Sequence, residues 1–430
     1  MPDKRLPAPL SPDTKAVFAL LLCFSLNMLG RGASDSFAVF LLPLGHEFGW
    51  SRAELMGAYS ISLLAFAGGS PFAGVLLDRF GHRALYLTGL VCLSASLIGA
   101  GSATALWQIY FCVGVLGGIA LATLGMIPAA SLLKRWFGRR LSIAMGIAYT
   151  GFGCGVLLIV PVAQHFIDEG GWRVAYRALG IAVAVLTLIV AMLPWKRILR
   201  GRPGVVAARH AGAGYAAGGR TGDSAIDSIE PPLRMSTDLL RAVRRRVFWG
   251  LSAVFLFTSI AMYMLLIQIV AYLVSIGVPP LKAASIYGVI GALSVAGMIT
   301  SGFLAGRIGF RATGLSSYGI TLTGLVLLVT YQHAPHPAAL AGFVLLFGIS
   351  QGTRGPLIAT LSTRLFTGPA AGSLFGMITA AGGLGGAIGS WLAGFLYDVS
   401  GGYELSFAVA ACSLMCASVP FLTLKEFRTR

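Results

Sequence analysis

Residues 74–83 read Gly74-Val75-Leu76-Leu77-Asp78-Arg79-Phe80-Gly81-His82-Arg83, and residues 302–311 read Gly302-Phe303-Leu304-Ala305-Gly306-Arg307-Ile308-Gly309-Phe310-Arg311. The two stretches share glycine or arginine at four positions, whereas Asp78 is replaced by Gly306. The two residues of every match are separated by the same number of residues as Gly74 and Gly302. We call this separation the repeat interval; it is slightly more than half the length of the chain. Because a constant separation of this size marks an internal duplication, the sequence predicts two repeats of similar length.

The composition is that of a membrane protein. Hydrophobic residues make up 56% of the chain and charged residues 11%, whereas a soluble domain carries about 25% charged residues. These values exclude a soluble globular enzyme, a disordered chain and a disulfide scaffold. Apolar runs long enough to cross a bilayer recur at 16–43, 53–77, 84–102, 105–133, 141–167, 173–195, 247–276, 281–305, 312–332, 338–363, 370–397 and 404–424. We therefore predict an all-α integral membrane protein whose twelve transmembrane helices form two parallel six-helix repeats.

Basic residues are concentrated on one side of these spans. If the N-terminus lies inside, 26 of the 32 Lys and Arg residues fall on the inner side. Arg52, Arg173, Arg177 and Lys282 fall outside, and Arg31 and Arg354 lie within spans. Because cytoplasmic loops carry an excess of Lys and Arg, both termini are predicted to be cytoplasmic. The net charge of +17 thus has an explanation that requires no nucleic-acid partner.

The longest polar segment separates the two repeats. Residues 196–246 are rich in Gly, Ala and Arg, and they divide a six-helix bundle at 1–195 from a second at 247–430. Within this cytoplasmic loop Ser236 can cap a helix, and the arginines at 244–246 suit its last turn. We expect a short amphipathic helix there, on the inner surface of the membrane.

Span 1 carries a polar stripe. Asn27, Arg31 and Asp35 follow at intervals of four residues, which places them on one face of an otherwise apolar helix. Arg31 is about 15 residues into the span and therefore near the membrane midplane. An ionisable residue inside a span is a functional candidate because its insertion is costly. Arg31 and Asp35 are close enough for an ion pair, which either belongs to a binding site or only packs.

Span 10 places a second arginine at a similar depth. Arg354 is about 16 residues into this span, with Gln351 on the same face. Two arginines and Asp35 give a local charge of +1, and arginine binds carboxylates with two parallel hydrogen bonds. We therefore predict that Arg354, with Arg31, binds a carboxylate. Asp35 is expected to pair with an arginine in the empty site and to take a coupled proton. The alternative for Arg354 is a structural role that locks neighbouring spans.

Other polar groups in the spans are weaker candidates for substrate binding. Each of them can contact a ligand and can equally form a hydrogen bond between helices. They are Tyr149, Thr150, Tyr263, Gln268, Tyr272 and Tyr287. The sequence contains no recognisable nucleophile–base pair, metal-binding cluster or phosphate loop. We therefore predict neither an enzyme activity nor a cofactor nor a metal.

Residues 74–83 resemble the Gly-x-x-x-Asp-Arg-x-Gly-Arg-Arg loop of the major facilitator superfamily. The resemblance extends along the chain through the twelve spans and the central loop. It implies that spans 1, 4, 7 and 10 surround a central cavity. It also implies that Asp78, Arg79 and Arg83 brace the inner gate between the halves without touching substrate.

A finer resemblance rests on four other stretches. Residues 30–40, 48–52, 134–140 and 394–398 are similar to the bacterial branch of the monocarboxylate transporter and oxalate/formate antiporter group. Two features of the animal members are absent here: the acidic-Gly-Gly-Trp pattern of span 1 and the Asp–Arg pair of span 8.

These features together predict a secondary active transporter for a small organic anion. A monocarboxylate, alternating access and proton symport are favoured. The alternatives are an anion exchanger of oxalate/formate type and a metabolite or drug exporter, although a local charge of +1 disfavours cationic drugs. A membrane sensor would need a signalling domain, which the central loop and short tails do not offer. We expect a monomer, surrounded by lipid, in a bacterial inner (plasma) membrane.

Overall fold

The structure, a computed structural model, describes residues 12–137, 141–201, 243–366 and 371–428, and all regular elements in these ranges are helical. Twelve helical segments of membrane-spanning length occur in them, here numbered α1 to α12 in the order of the predicted spans. They are α1 (Pro12–Asp35 and Phe37–Phe48), α2 (52–80), α3 (82–100), α4 (Leu106–Phe137), α5 (141–170), α6 (172–192), α7 (Arg246–Leu266 and Ile269–Ser275), α8 (Pro280–Ile308), α9 (Phe310–His333), α10 (Pro337–Leu365), α11 (Ala371–Ser400) and α12 (Glu404–Thr423). The predicted all-helical membrane fold is confirmed.

Nine of the described helices are long and apolar enough to cross a membrane. Two of these, Arg52–Ala100 and Leu141–Met192, are far longer than one bilayer crossing, and each turns at a glycine with φ of 78°, Gly81 or Gly171. Each therefore supplies two spans. The helix Pro337–Leu365, 29 residues long, supplies the twelfth; its polar residues include Gln351 and Arg354.

The backbone repeats the internal duplication of the sequence. Six of the seven described glycines with positive φ, all except Gly201, form pairs that are separated by the repeat interval or by very nearly that interval. The pairs are Gly49 with Gly277, Gly81 with Gly309, and Gly171 with Gly401. Gly81 and Gly309 belong to the two related stretches, and their φ values are 78° and 86° with ψ of 173° and 162°. Only glycine adopts this conformation without strain. The repeated glycines thus place a sharp turn at the same point of each half.

Helix packing places α5 between α1 and α8. Within the first half α1 packs on α5, and across the halves α5 packs on α8 and α2 packs on α11. Small residues permit the close approach: a Cβ atom at Gly155 would collide with α1, and one at Gly153 would collide with the Gly291 carbonyl of α8. Such contacts between small residues are common in helical membrane proteins.

The start of the predicted loop at 196–246 is in contact with the first half. A short helix, Trp195–Ile198, packs back onto this half, with the buried Trp195 indole donating to the Val190 carbonyl at 2.9 Å. The Trp136 indole donates to the Ile198 carbonyl, also at 2.9 Å. Residues 202–242, and with them most of the predicted amphipathic helix at 236–246, lie outside the described residues. The division at 196–246 stays a prediction.

Candidate functional site

Four side chains form a hydrogen-bonded chain where α1 is interrupted, between Asp35 and Phe37. Arg31 Nε donates to Asp35 Oδ2 at 2.8 Å, and the Tyr59 hydroxyl donates to Asp35 Oδ1 at 2.8 Å. Arg31 Nη1 donates to the Tyr263 hydroxyl at 3.3 Å. The Asp35 side chain is 3% exposed and that of Arg31 is 20% exposed. We call Arg31, Asp35, Tyr59 and Tyr263 the Arg31–Asp35 cluster; both oxygens of its carboxylate are hydrogen-bonded.

The Arg31–Asp35 cluster joins the two halves. Arg31, Asp35 and Tyr59 belong to the first half, whereas Tyr263 lies on α7 of the second. The rings of Tyr59 and Tyr263 have centroids 6.1 Å apart, and Arg31 Cζ lies 5.7 Å from the centre of the Tyr263 ring. A change in the charge of Asp35 would therefore alter the electrostatic environment of a contact between the halves.

The second arginine of the spans, Arg354, is 3% exposed and is held by neutral groups of α9. Its Nε donates to Ser317 Oγ at 3.1 Å and its Nη2 to the Ser317 carbonyl at 3.2 Å, with a further contact to Thr321 Oγ1. Its Cζ lies 4.9 Å from the centre of the Tyr318 ring. Within the described part of the chain no acidic side chain pairs with Arg354. Because a buried charge without a counter-charge is unfavourable, this position favours a nearby anion.

Both arginines contact α7. Arg31 contacts Tyr263, and Arg354 Nη1 contacts the sulfur of the preceding residue, Met262. Each arginine therefore touches one of two consecutive residues of α7. Arg354 has no direct contact with the Arg31–Asp35 cluster among the hydrogen bonds of the described residues.

The remaining predicted binding residues are divided between buried and exposed positions. Asn27, Gln268 and Gln351 each have a buried side-chain atom without a hydrogen-bond partner among the described residues. For Gln268 this holds for both amide atoms, whereas Asn27 Nδ2 donates to the Cys23 carbonyl at 2.9 Å. Tyr149 is 39% exposed and packs edge-on against Phe152. The structure thus brings Arg31, Asp35 and Tyr263 together, and no hydrogen bond among the described residues joins Tyr149 to them.

Sequence reasoning missed Tyr59 as a member of the cluster. A tyrosine in an apolar run gives no periodic signal, and its partner Asp35 lies 24 residues earlier in the chain. The internal duplication is a usable signal, because the repeat interval relates Tyr59 to a second tyrosine, Tyr287.

The predicted gate residues lie at what we call the basic end of the bundle, where α2 ends and α3 begins. Asp78, Arg79 and Arg83 are exposed there. Arg83 Nη2 donates to the Ala191 carbonyl of α6 at 3.3 Å, within the same half. Among the described residues, the three form no hydrogen bond or ion pair with the second half.

Contacts between the halves are found at the opposite end, where α2 begins and α11 ends. The carboxylate of Asp398 accepts from the backbone N–H groups of Arg52 and Ala53 at 2.9 and 2.7 Å. The guanidinium of Arg52 lies over the ring of Tyr397, with Cζ 4.3 Å from its centre. Further along α2, Ser60 Oγ donates to the Ala387 carbonyl at 2.8 Å.

The helices α2 and α11 diverge toward the basic end. A Cβ atom at Gly383 would collide with Ala67. Two helical turns further along the same faces, at Gly74 and Gly376, a Cβ atom would meet no described atom within 4 Å. The halves are therefore in contact at the opposite end and separated at these positions of the basic end.

Comparison with known proteins identifies the family. Residues 20–366 match the Major Facilitator Superfamily. The chain belongs to this superfamily. As a member of this superfamily, the chain is a multi-pass membrane transporter and not an enzyme, as the sequence predicts.

Curated relatives align with this chain over nearly its whole length. It is 28% identical to bovine (Bos taurus) monocarboxylate transporter 13, over 95% of this chain and 89% of that protein. It is 27% identical to monocarboxylate transporter 4 of Mus musculus, over 96% and 84% of the two chains. It is 25% identical to an uncharacterized MFS-type transporter, YcxA, of Bacillus subtilis (strain 168), over 94% and 95%.

Solved structures share the fold of this chain at low sequence identity. A D-xylose–proton symporter superimposes with a TM-score of 0.70 at 14% identity, covering 96% of this chain and 99% of that one. A bacterial homologue of the human lysosomal transporter Spinster, in an inward-facing and unoccupied conformation, gives a TM-score of 0.63 at 15% identity, covering 95% and 94%.

Proposed function

We propose that the protein carries a small monocarboxylate across the membrane by alternating access, together with a proton. The observation that carries the proposal is the Arg31–Asp35 pair, with its buried carboxylate, at the junction of the halves. The names of the relatives, monocarboxylate transporters 13 and 4, support the class of substrate. The separation of the halves at the basic end, with contact at the opposite end, supports one of the two states that alternating access requires.

The cluster can couple anion binding to proton uptake. In the structure Arg31 neutralises Asp35. An incoming carboxylate that takes hydrogen bonds from Arg31 leaves Asp35 without its counter-charge. Because an ionised carboxylate in a dry site is unfavourable without a cation, Asp35 then takes up a proton. Anion and proton would thus be bound together, with Arg354 adding attraction for the anion from the second half.

Anion exchange is the second candidate, and the charge of Arg354, with which no described acidic side chain pairs, favours it. A site with a local charge of +1 is neutralised when a monovalent anion is bound. The empty carrier would have to move that charge through an apolar environment, which is costly. A carrier of this kind returns only with an anion bound and exchanges one anion for another.

Uptake into proteoliposomes tests the proposed function and distinguishes the two modes. Purified protein is assayed with a panel of mono- and dicarboxylates, with and without an inward proton gradient and with or without internal counter-substrate. Monocarboxylate uptake that is driven by the gradient into empty vesicles is the result expected for symport. Uptake that requires internal anion and ignores the gradient indicates exchange, and the absence of uptake of every anion contradicts both.

The setting of this activity is also part of the proposal. We place the carrier in a bacterial inner membrane as a monomer, with the basic end and both termini in the cytoplasm. The basic excess is then attributed to topology and not to a nucleic-acid partner.

A further inference from the structure

We infer that Tyr287 of α8 donates a hydrogen bond to the transported anion, from the second half, while Arg31 binds it from the first. The inference rests on the proposed function and assigns that site an additional substrate-binding residue. Its basis is the juxtaposition of a buried, unpartnered hydroxyl with the Arg31–Asp35 cluster.

The hydroxyl of Tyr287 is buried next to charged groups. The residue is 1% exposed, and its oxygen has no hydrogen-bond partner among the described residues. The hydroxyl interacts electrostatically with Arg31, Asp35 and Tyr263. A buried hydroxyl without a partner is unfavourable and native structures contain few of them. Such a donor, in electrostatic interaction with an arginine that is predicted to bind a carboxylate, can form a second bond to the same anion.

The glycine contacts of α5 explain why Tyr287 reaches this position. The next residue, Gly288, packs on Leu157 of α5, where a Cβ atom would lie 3.0 Å from the Leu157 Cα. On the other face of α5, Gly155 packs against Gly32 and Met28 of α1. Because the backbones approach so closely on both sides, α8 is brought near the interruption of α1 that holds Asp35.

The internal duplication gives an independent reason to assign Tyr287. The repeat interval relates Tyr59 to Tyr287, and it relates Asp35 to Tyr263. In the first half the Tyr59 hydroxyl donates to the Asp35 carboxylate. In the second half the counterpart of that carboxylate is a tyrosine, so Tyr287 lacks the acceptor that Tyr59 has. The carboxylate of a substrate would supply this acceptor and would join the halves at the repeat-related position.

A matched tyrosine provides the control. Tyr176 of α6 is also buried with an unpartnered hydroxyl among the described residues, but its ring packs on Phe40 and Trp172. Replacing either tyrosine by phenylalanine removes a hydroxyl that has no hydrogen-bond partner in the described part of the chain. Neither change should therefore lower the unfolding temperature.

The experiment compares Tyr287→Phe and Tyr176→Phe with the wild-type carrier. The KM for a transported monocarboxylate is measured in proteoliposomes, and the rise in unfolding temperature on adding that anion is measured in detergent. We expect Tyr287→Phe to raise KM roughly tenfold or more, as the loss of a hydrogen bond to a charged group does, and to reduce the anion-induced rise. Tyr176→Phe should leave both unchanged.

Three outcomes overturn the inference. A KM for Tyr287→Phe within about twofold of the wild-type value, which is less than one hydrogen bond contributes, removes Tyr287 from the site while leaving the proposed function intact. A lower unfolding temperature of Tyr287→Phe without anion shows that its hydroxyl has a structural partner. A wild-type carrier that neither transports nor is stabilised by any anion of the panel overturns the proposed function, and the inference with it.

Discussion

Arg354 carries a buried positive charge that no described acidic side chain neutralises. If it attracts the anion, Arg354→Gln should reduce uptake at least tenfold, because hydrogen bonds between charged groups contribute about 1.5–3 kcal/mol. The fold should tolerate the change, since Thr321 and Ser317 keep hydrogen bonds to Ser350 at 2.7 and 3.1 Å. Uptake and unfolding temperature of the purified variant check this.

The structural alternative for Arg354 predicts a different result for the unfolding temperature. If the guanidinium only locks α10 to α9, Arg354→Gln lowers the unfolding temperature. Thr353→Val, on the neighbouring position of α10 but outside the guanidinium contacts, serves as the control for local disturbance. Normal uptake by Arg354→Gln would remove this residue from the binding site.

Asp35 is the residue on which proton coupling depends. In Asp35→Asn the amide can still bond Tyr59 and Arg31, but it cannot take up a proton. We expect the variant to lose accumulation driven by a proton gradient and to keep exchange of internal for external anion. The measurement is uptake with and without the gradient and with internal counter-substrate. Asp168→Asn, at an exposed position of α5, is the control. Gradient-driven accumulation by Asp35→Asn at the wild-type level would contradict the assignment of Asp35 to proton coupling.

At the scale of elements, the start of α2 is held by a carboxylate of the other half. Asp398 accepts from two backbone N–H groups at the N-terminus of α2, where a negative charge is favourable by about 0.3–1 kcal/mol. Asp398→Asn loses the charge and one acceptor oxygen. We therefore expect the opposite end to open more often, by about two- to fivefold for a loss of this size.

Labelling of a buried cysteine at this end measures the opening. In a background without the six native cysteines, Ser390→Cys, which replaces a buried hydroxyl that contacts Ser60 across the halves, reports access of a thiol reagent. Asp398→Asn should accelerate its labelling. Glu54→Gln weakens a cap that lies within α2 itself and should leave the rate unchanged. Equal rates in both variants would exclude Asp398 as a link between the halves.

The elements also separate what the sequence predicts from what requires the structure. The contact of Arg31 with Asp35 follows from their spacing, because residues four apart on a helix are neighbours. The bonds from Tyr59 to Asp35 and from Arg354 to Ser317 depend on how distant segments pack, and no local pattern reports them. The predicted gate residue Asp78 is exposed. The contact at the opposite end is instead formed by Asp398, which the sequence indicates only as the last residue of the similar stretch 394–398.

At the scale of the whole molecule, the charge distribution predicts the orientation. The loop between α3 and α4 contains the exposed Thr104 at the opposite end, and Phe80 is exposed at the basic end. We expect a membrane-impermeant maleimide to label Thr104→Cys in intact cells, and Phe80→Cys only after the cells are permeabilised. The cysteine-free background is the control, and the reverse pattern would invert the topology.

The divergence of α2 and α11 toward the basic end has a pharmacological consequence. A bulky competitor that cannot cross the lipid reaches this state of the carrier from one compartment only. Its potency should therefore differ between right-side-out and inside-out vesicles that contain the same amount of protein. An inhibitor screen on whole cells would miss compounds of this kind, whereas a screen on inverted vesicles would find them.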